Sequence, residues 1–368
     1  MTDLSFSMGG GLARAADDAA LACPRPAADD KTMLRAAADL TRDLNTPDAR
    51  IYWADLIASA LLGYGALAIA LVAEPGWAIA AAGFVAALAL YRAGMFIHEL
   101  THIKHSQLPG LRQGWNLLVG VPLLIPSFLY EGLHNLHHAK TRYGTADDPE
   151  YLPLALMKPW TLPVFLVTSL AAPLVLLLRF GVVTPLSLLS PRLRTLVVGR
   201  FSGLQINPGF RRRAPEGESA RQWALQEAAC SLWAITIITL LATGVIPGRE
   251  ALILLAVTAG AMFLNQVRTL VAHLWENEGE QMSVTAQYHD SVNVPPPATM
   301  PALWAPVGLR YHALHHLLPG VPYHNLGEAH RRISAALGPD SPYNATSHRA
   351  LLPLVGRLAA STIRRRRG

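Results

Sequence analysis

The stretch WAIAAAGFVAALALYRAGMFIHELTH, Trp77 to His102, decides how this chain is read. To Ile97 it is apolar apart from Tyr91 and Arg92, and at ~1.5 Å per residue it can cross a ~30 Å hydrocarbon core. It then ends in His98 and His102, one helical turn apart. Two more clusters follow, His134-Asn-Leu-His137-His138 and His312-Ala-Leu-His315-His316. Eight of the fourteen histidines lie in these boxes. Neutral imidazole is the commonest metal ligand, and side chains at i, i+3 and i+4 share a helix face. One pair is weak evidence. Three boxes, two of them H-x-x-H-H, describe a polynuclear metal site in a membrane-embedded metalloenzyme.

Outward from the first box, Ile51 to Ala73 is a second apolar run, joined to Trp77–Ile97 by the turn Glu74-Pro75-Gly76. Ala224–Val245 and Ala251–Ala272 make another hairpin around Pro247-Gly248-Arg249-Glu250. Trp115–Tyr130 is short and broken by Pro122 and Pro126, which suits an interfacial or re-entrant element. Trp160–Phe180, with Pro163 and Pro173, is ambiguous. If only one of these two crossed, the boxes would lie on opposite sides of the membrane and no single centre could form. The expectation is an all-α integral membrane fold with four transmembrane helices in two hairpins. A cytoplasmic helical cap then holds a dinuclear site. Residues 1–50 read as a cytoplasmic lead-in, partly disordered and helical around Lys31–Leu44. Residues 51–345 read as the membrane domain, Ser187–Glu218 as a basic surface loop within it, and 346–368 as a basic tail. The Arg364–Arg367 run suits a phospholipid surface, at ~1 kcal/mol per charge.

Composition agrees. Hydrophobic residues make up 51% and charged residues 15%, against roughly 25% charged in soluble domains. The net charge of +6 lies outside the apolar runs or at their ends, as the positive-inside rule requires. Basic residues are not interleaved with aromatics on a soluble module, so no nucleic-acid partner is expected. Both hairpin turns then face outward, and both termini and every box face the cytoplasm, in a multi-pass protein of a bacterial inner membrane. Cys23 and Cys230 cannot build a disulfide framework or a C-x-x-C site, so ligation falls to histidine. No cleavable signal peptide is visible in the first fifty residues.

His98-Glu99-Leu100-Thr101-His102 also matches the zinc-protease pattern H-E-x-x-H, but that reading leaves the other two boxes unexplained. On a helix His134 and His138 lie ~40° apart, with His137 ~60° to the other side of His134. One box can therefore serve two metals, and His312, His315 and His316 repeat the device. His273, at the end of the last apolar run, brings the imidazoles to nine. Nitrogen ligands disfavour magnesium, calcium and manganese, and the lack of thiolates argues against an iron–sulfur cluster. A redox-active pair beside lipid favours iron and O2.

The three boxes, the two hairpins and the tail Leu317-Leu-Pro319-Gly-Val-Pro322-Tyr-His-Asn-Leu326 together resemble the membrane fatty-acid desaturase superfamily over roughly residues 52–337. The resemblance implies a non-haem di-iron oxidoreductase that uses O2 and two electrons on a lipid chain. It assigns one iron to His98, His102, His134, His138 and His316, and the other to His137, His273, His312 and His315. In related acyl-CoA desaturases an asparagine one turn before the His273 position completes the second site through water. Thr269 stands there, with Asn265 a turn further back. The expected reaction is desaturation of a fatty-acyl or related lipid. The alternatives are an alkyl, lipid or carotenoid hydroxylase or ketolase on the same scaffold, and, in another class, a non-catalytic metal-handling membrane protein. No His-Pro-Gly-Gly cytochrome b5 motif and no flavin or nicotinamide fingerprint occurs, so electrons must come from a separate ferredoxin or cytochrome b5 with its reductase. Lys104, Arg112, Lys140, Arg142, Arg310, Arg331 and Arg332 would steer such an acidic partner. His105, His289, His324, His330 and His348 read as solvated or supporting residues. Glu131, Asp147, Asp148, Glu276 and Glu278 are candidates to orient ligands.

Overall fold

A computed structural model describes residues 29–364. Cys23, most of the lead-in and the last arginines lie outside them. The first helix, α1 (Lys31–Leu40), starts where the Asp30 carboxylate accepts the N–H groups of Thr32 and Met33, both at 3.0 Å. Asp48 caps α2 (Ala49–Val72) through the Arg50 N–H at 2.8 Å, and Pro75 opens α3 (Gly76–His102). These two helices pack closely: Gly63 lies so near Leu90 that a Cβ there would come within 2.7 Å of it. Small residues bring helices together where lipid supplies no hydrophobic drive.

The second box sits on a short helix, α4 (Leu133–His137). After it, Thr161–Ser187 (α5) is one helical run, longer and more regular than a broken interfacial stretch. Its prolines are absorbed by changes of winding: Pro173 lies in the first turn after a 3-10 segment, and Pro185 in the first turn after a π segment at Arg179–Val183. Then come α6 (Pro191–Phe201), α7 (Gly217–Ala242) and α8 (Gly248–Leu270). The third box is α9 (His312–Leu317), followed by α10 (Leu326–Leu337) and α11 (Leu351–Arg364). Helix α11, in the region expected to be a tail, packs Leu354 with Val271, Val292 and Val294.

Five helices, α2, α3, α5, α7 and α8, are long and apolar enough to cross a membrane, and the protein is multi-pass. The expectation had named four. The addition is α5, of whose most apolar stretch only 6% is buried, so it offers its leucines outward. Leu111–Gly120 and Ser127–Leu129, from the other doubtful stretch, are short segments whose Trp115, Val119, Phe128 and Leu129 are buried. The fold is all-helical; among the described residues extended pairing is limited to isolated bridges, His273 with Ser291 and Asn293 with Tyr311 and Ser347.

Those bridges position the site. The backbone of Val292 donates to Ala272 (2.9 Å) and accepts from Ala313 (3.1 Å), tying the end of α8 to α9. Buried Asn293 accepts the Leu314 N–H on Oδ1 at 3.1 Å. On the other side Arg92 grips Asp55 at 2.5 and 3.0 Å, and the Tyr323 hydroxyl donates to the same carboxylate at 2.8 Å. The hairpin and the segment after the third box are thereby joined.

Candidate metal centre

All nine expected histidines converge. His98 and His102 share one face at the end of α3. Gly132, at a φ of 79°, turns the chain into α4 so that His134 and His137 point inward. His273 follows α8, and His312, His315 and His316 project from α9. Their nitrogens form two groups, each within 4.8 Å: His98, His102, His134, His138 and His315, and His137, His273, His312 and His316. The groups adjoin, with the rings of His138 and His316 stacked 4.1 Å apart.

This partition corrects the one drawn from the resemblance, which exchanged His315 and His316. The reason is helical phase. His312 and His316 are ~40° apart, and His315 lies on the far side of His312. The i, i+4 pair must therefore stay together, as His134 and His138 do, while the i+3 member crosses to the other group.

The rings are oriented from behind. Buried Asp148 accepts from His137 Nδ1 at 2.9 and 3.1 Å. Its carboxylate is fixed by the N–H groups of Gly144 and Glu150, both at 2.8 Å. Gly144 takes a φ of 71°, and a Cβ there would lie 2.6 Å from Asn277 Nδ2, so only glycine fits this turn without strain. Glu150 meets His134 Nδ1 at 3.0 Å, beside the Tyr130 hydroxyl at 2.8 Å. Tyr143 and Ser291 meet His273 Nδ1 at 2.8 and 3.2 Å, and Asp290 accepts from Tyr143 at 2.8 Å. Burial pushes the Glu150 and Asp290 carboxyls up to about 7. It also holds His134, His138, His273, His312, His315 and His316 well below the usual imidazole range, hence neutral. At His137 burial pulls the same way, but the Asp148 charge and hydrogen bond overcome it and raise the pKa.

These contacts occupy Nδ1 and leave Nε2 facing inward. Nε2 atoms approach at 3.0 Å between His134 and His138, His102 and His315, and His273 and His312, and at 3.1 Å between His312 and His316. Ligands at right angles on ~2.1 Å metal–nitrogen bonds would be about 3.0 Å apart. Both nitrogens of His98 and Nδ1 of His312 and His315 are buried without a hydrogen-bond partner. Such groups are costly unless something accepts them. Both groups fit a nitrogen-bound transition metal.

Of the carboxylates proposed as orienters, Asp148 reaches a box. Glu131 instead meets Ser127 at 3.1 Å, Glu276 lies 3.5 Å from Arg357, and Asp147 and Glu278 are exposed. Glu150, Tyr130, Tyr143, Asp290 and Ser291 were not foreseen; the only signals were Tyr130 one turn before His134, and Asp290-Ser291 ahead of the third box. Glu99, the would-be protease base, is in neither group. It is buried, accepting from the Tyr52 hydroxyl and, at 3.1 Å, from the Tyr323 N–H. The five remaining histidines described, among them His330 against Tyr343 at 2.9 Å, also lie outside both groups. Asn265 Oδ1 is 3.4 Å from Arg268 Nη2. Arg268 itself is 92% buried beside the centre, forms no ion pair with a carboxylate among the described residues, and leaves its Nε without a partner.

Residues 75–347 match the family described as fatty acid desaturase. The chain belongs to that family. It is 50% identical over 331 residues, 90% of this chain and 94% of the relative, to a ceramide hydroxylase of Caulobacter vibrioides (strain NA1000 / CB15N). Family membership and this relative make the protein an oxidoreductase of the membrane desaturase and hydroxylase type. The relative also corrects the expectation of desaturation, since so similar a chain inserts oxygen instead. The boxes could not have told the two apart, because the same three-box pattern fits both reactions.

Proposed function

We propose that the protein hydroxylates a ceramide or a closely similar lipid, with two iron ions held by the nine histidines. The observation that carries this reading is the 50% identity to a ceramide hydroxylase along nearly its whole length. Iron, when bound, would supply the two-electron activation of O2. In balance, one oxygen atom enters a C–H bond to give an alcohol and the other leaves as water, consuming two electrons and two protons. Asp148, Glu150 and the Tyr143–Asp290 pair hold His137, His134 and His273, respectively, in the tautomer that leaves Nε2 free, and fix their planes. Buried apolar walls from α3 and α8, including Phe96, Ile97 and Ala261, keep water from the reacting carbon. Arg268 lies beside the centre with its Nε buried and without a partner, and a ceramide offers amide and hydroxyl oxygens to receive that N–H. Its hydrogen bond would fix which carbon faces the metals.

Four crossings remain the topology best supported. His137 and His273 pack with ring centroids 5.1 Å apart, so the chain between them must cross an even number of times. Three apolar helices lie in that interval. Leu162, at the start of α5, packs with Leu270 and Trp275 at the histidine-bearing end of α8, and Arg179, farther along α5, pairs at 2.7 Å with Glu227 in the first half of α7, the half that follows the basic loop. We therefore place α5 in the membrane surface rather than through it, with the centre and both termini cytoplasmic. Electrons would come from a separate ferredoxin or cytochrome b5-type donor. The basic face available to it is narrower than expected, because Arg331 and Arg332 are paired with Glu328, and Arg332 also with Asp43. Arg112 lies 3.7 Å from Glu131 and Arg310 donates to the Val294 and Ala298 carbonyls, which leaves Lys104, Lys140 and Arg142. Expression with a ceramide supply tests the function: membrane lipids should gain a hydroxylated ceramide with the native chain and lack it with His315→Ala. Equal product from both would sink the proposal.

A further inference from the structure

The residues between α5 and α7, expected to be a plain surface loop, enclose a cavity of about 750 Å3. Arg192, Arg194, Arg200, Arg211 and Arg212 line it, and no carboxylate does. Its apolar wall includes Leu196, Val198 and Trp223. Not all five arginines are free. Arg212 is used by the fold: it donates to the Phe128 and Glu131 carbonyls at 2.5 and 2.7 Å, and its guanidinium lies 4.5 Å from the Trp223 ring centre. Arg194 is divided, with Nη2 on Glu227 at 2.7 Å and Nη1 buried without a partner. Arg192 and Arg200 are exposed on α6 and form no ion pair among the described residues. A concave site with a surplus of planar, forked donors suits a phosphate, which guanidinium groups bind in bidentate fashion.

The surroundings indicate where that phosphate comes from. Leu188 and Leu189, leading into α6, are 73% and 83% exposed, and Leu196 on the cavity wall is also exposed. Bare leucines beside unpaired arginines are stable at a membrane–water interface, where the apolar groups meet acyl chains and the charges reach the headgroup layer.

We propose that this cavity binds the phosphate of an anionic glycerophospholipid, whose acyl chains lie on the exposed leucines of α6 and its approach. The proposal does not depend on the lipid hydroxylation argued above, and it concerns a site separate from both histidine groups. The test is native mass spectrometry of the full chain in detergent, titrated with phosphatidylglycerol or phosphatidylethanolamine of matched acyl chains. The native protein should retain phosphatidylglycerol preferentially. Arg192→Gln/Arg200→Gln should weaken that retention on the order of 30-fold, from roughly fivefold per headgroup-level arginine. Thermal midpoint and metal content should not change, because neither side chain supports the fold. Equal retention by native and variant chains would overturn the proposal. So would displacement of the lipid by millimolar inorganic phosphate, which would make free phosphate the ligand. Unchanged lipid retention with a raised KM for an electron donor would overturn it too, and would assign the arginines to that donor.

Discussion

Asp148→Asn removes one charge from a fully buried carboxylate whose two oxygens accept four contacts: two from His137 Nδ1, one from the Gly144 N–H and one from the Glu150 N–H. An amide has a single acceptor oxygen, so its NH2 must face one of the two backbone N–H groups. One charge-assisted hydrogen bond is lost outright, about 1.5–3 kcal/mol. His137 also loses the partner that fixes its tautomer, and loss of such a partner costs about 10- to 100-fold in metal affinity. That range is about 1.4–2.7 kcal/mol at 1.36 kcal/mol per decade. The effect should fall on the four-histidine group, leaving the five-histidine group, oriented by Glu150, near its native affinity. Chelator titration followed by metal analysis reads this as early loss of one of two metal equivalents, before any activity is measured. If Asp148→Asn held both equivalents like the native protein, the claim that Asp148 orients His137 for metal would be wrong.

Other changes separate the parts of the site. His315→Ala should empty the five-histidine group and His316→Ala the four-histidine group, so metal analysis of the two variants should show opposite sites lost; the reverse pattern would restore the assignment drawn from the resemblance. Arg268→Met removes a buried charge with no carboxylate partner among the described residues, so the unfolding free energy should hold or rise, by up to about 2 kcal/mol, while turnover falls about 10- to 100-fold. Full turnover in that variant would exclude contact between Arg268 and the lipid. Electron-limited turnover with a reconstituted acidic donor should drop as ionic strength passes ~0.1 M, where the Debye length is ~10 Å. Salt-independent turnover would leave Lys104, Lys140 and Arg142 with a topological role only.

What could be read in advance was local. Box spacing, apolar length and helix phase are properties of a few turns, so the nine histidines and the hairpins α2–α3 and α7–α8 were legible. The pairing of His312 with His316 was legible in the same phase argument that described His134 and His138, and was lost only by following the resemblance. Helix α5 was obscured because proline content suggests a break, whereas 3-10 and π turns let Pro173 and Pro185 stay within one run. The supporting groups were not legible. Asp148 and Glu150 reach the boxes through a turn set by Gly144, and Tyr143 reaches His273 across 130 residues. Arg268 looked like an ordinary basic residue at a helix end, since only packing shows it to be buried with its Nε unpartnered. The reaction itself was beyond the boxes, because the same box pattern fits desaturation and hydroxylation alike, and the 50% identity to a ceramide hydroxylase is what favours the second.

The central claim is oxygen insertion into a ceramide-class lipid at the histidine centre. Its most direct test is the iron-loaded full chain in lipid nanodiscs, given a ceramide, a reducing system and oxygen-18 gas, with the product analysed by mass spectrometry. The product should be heavier by about 18 mass units, one labelled oxygen, with none formed by His315→Ala. A product lighter by about two mass units, or oxygen drawn from water, would contradict it.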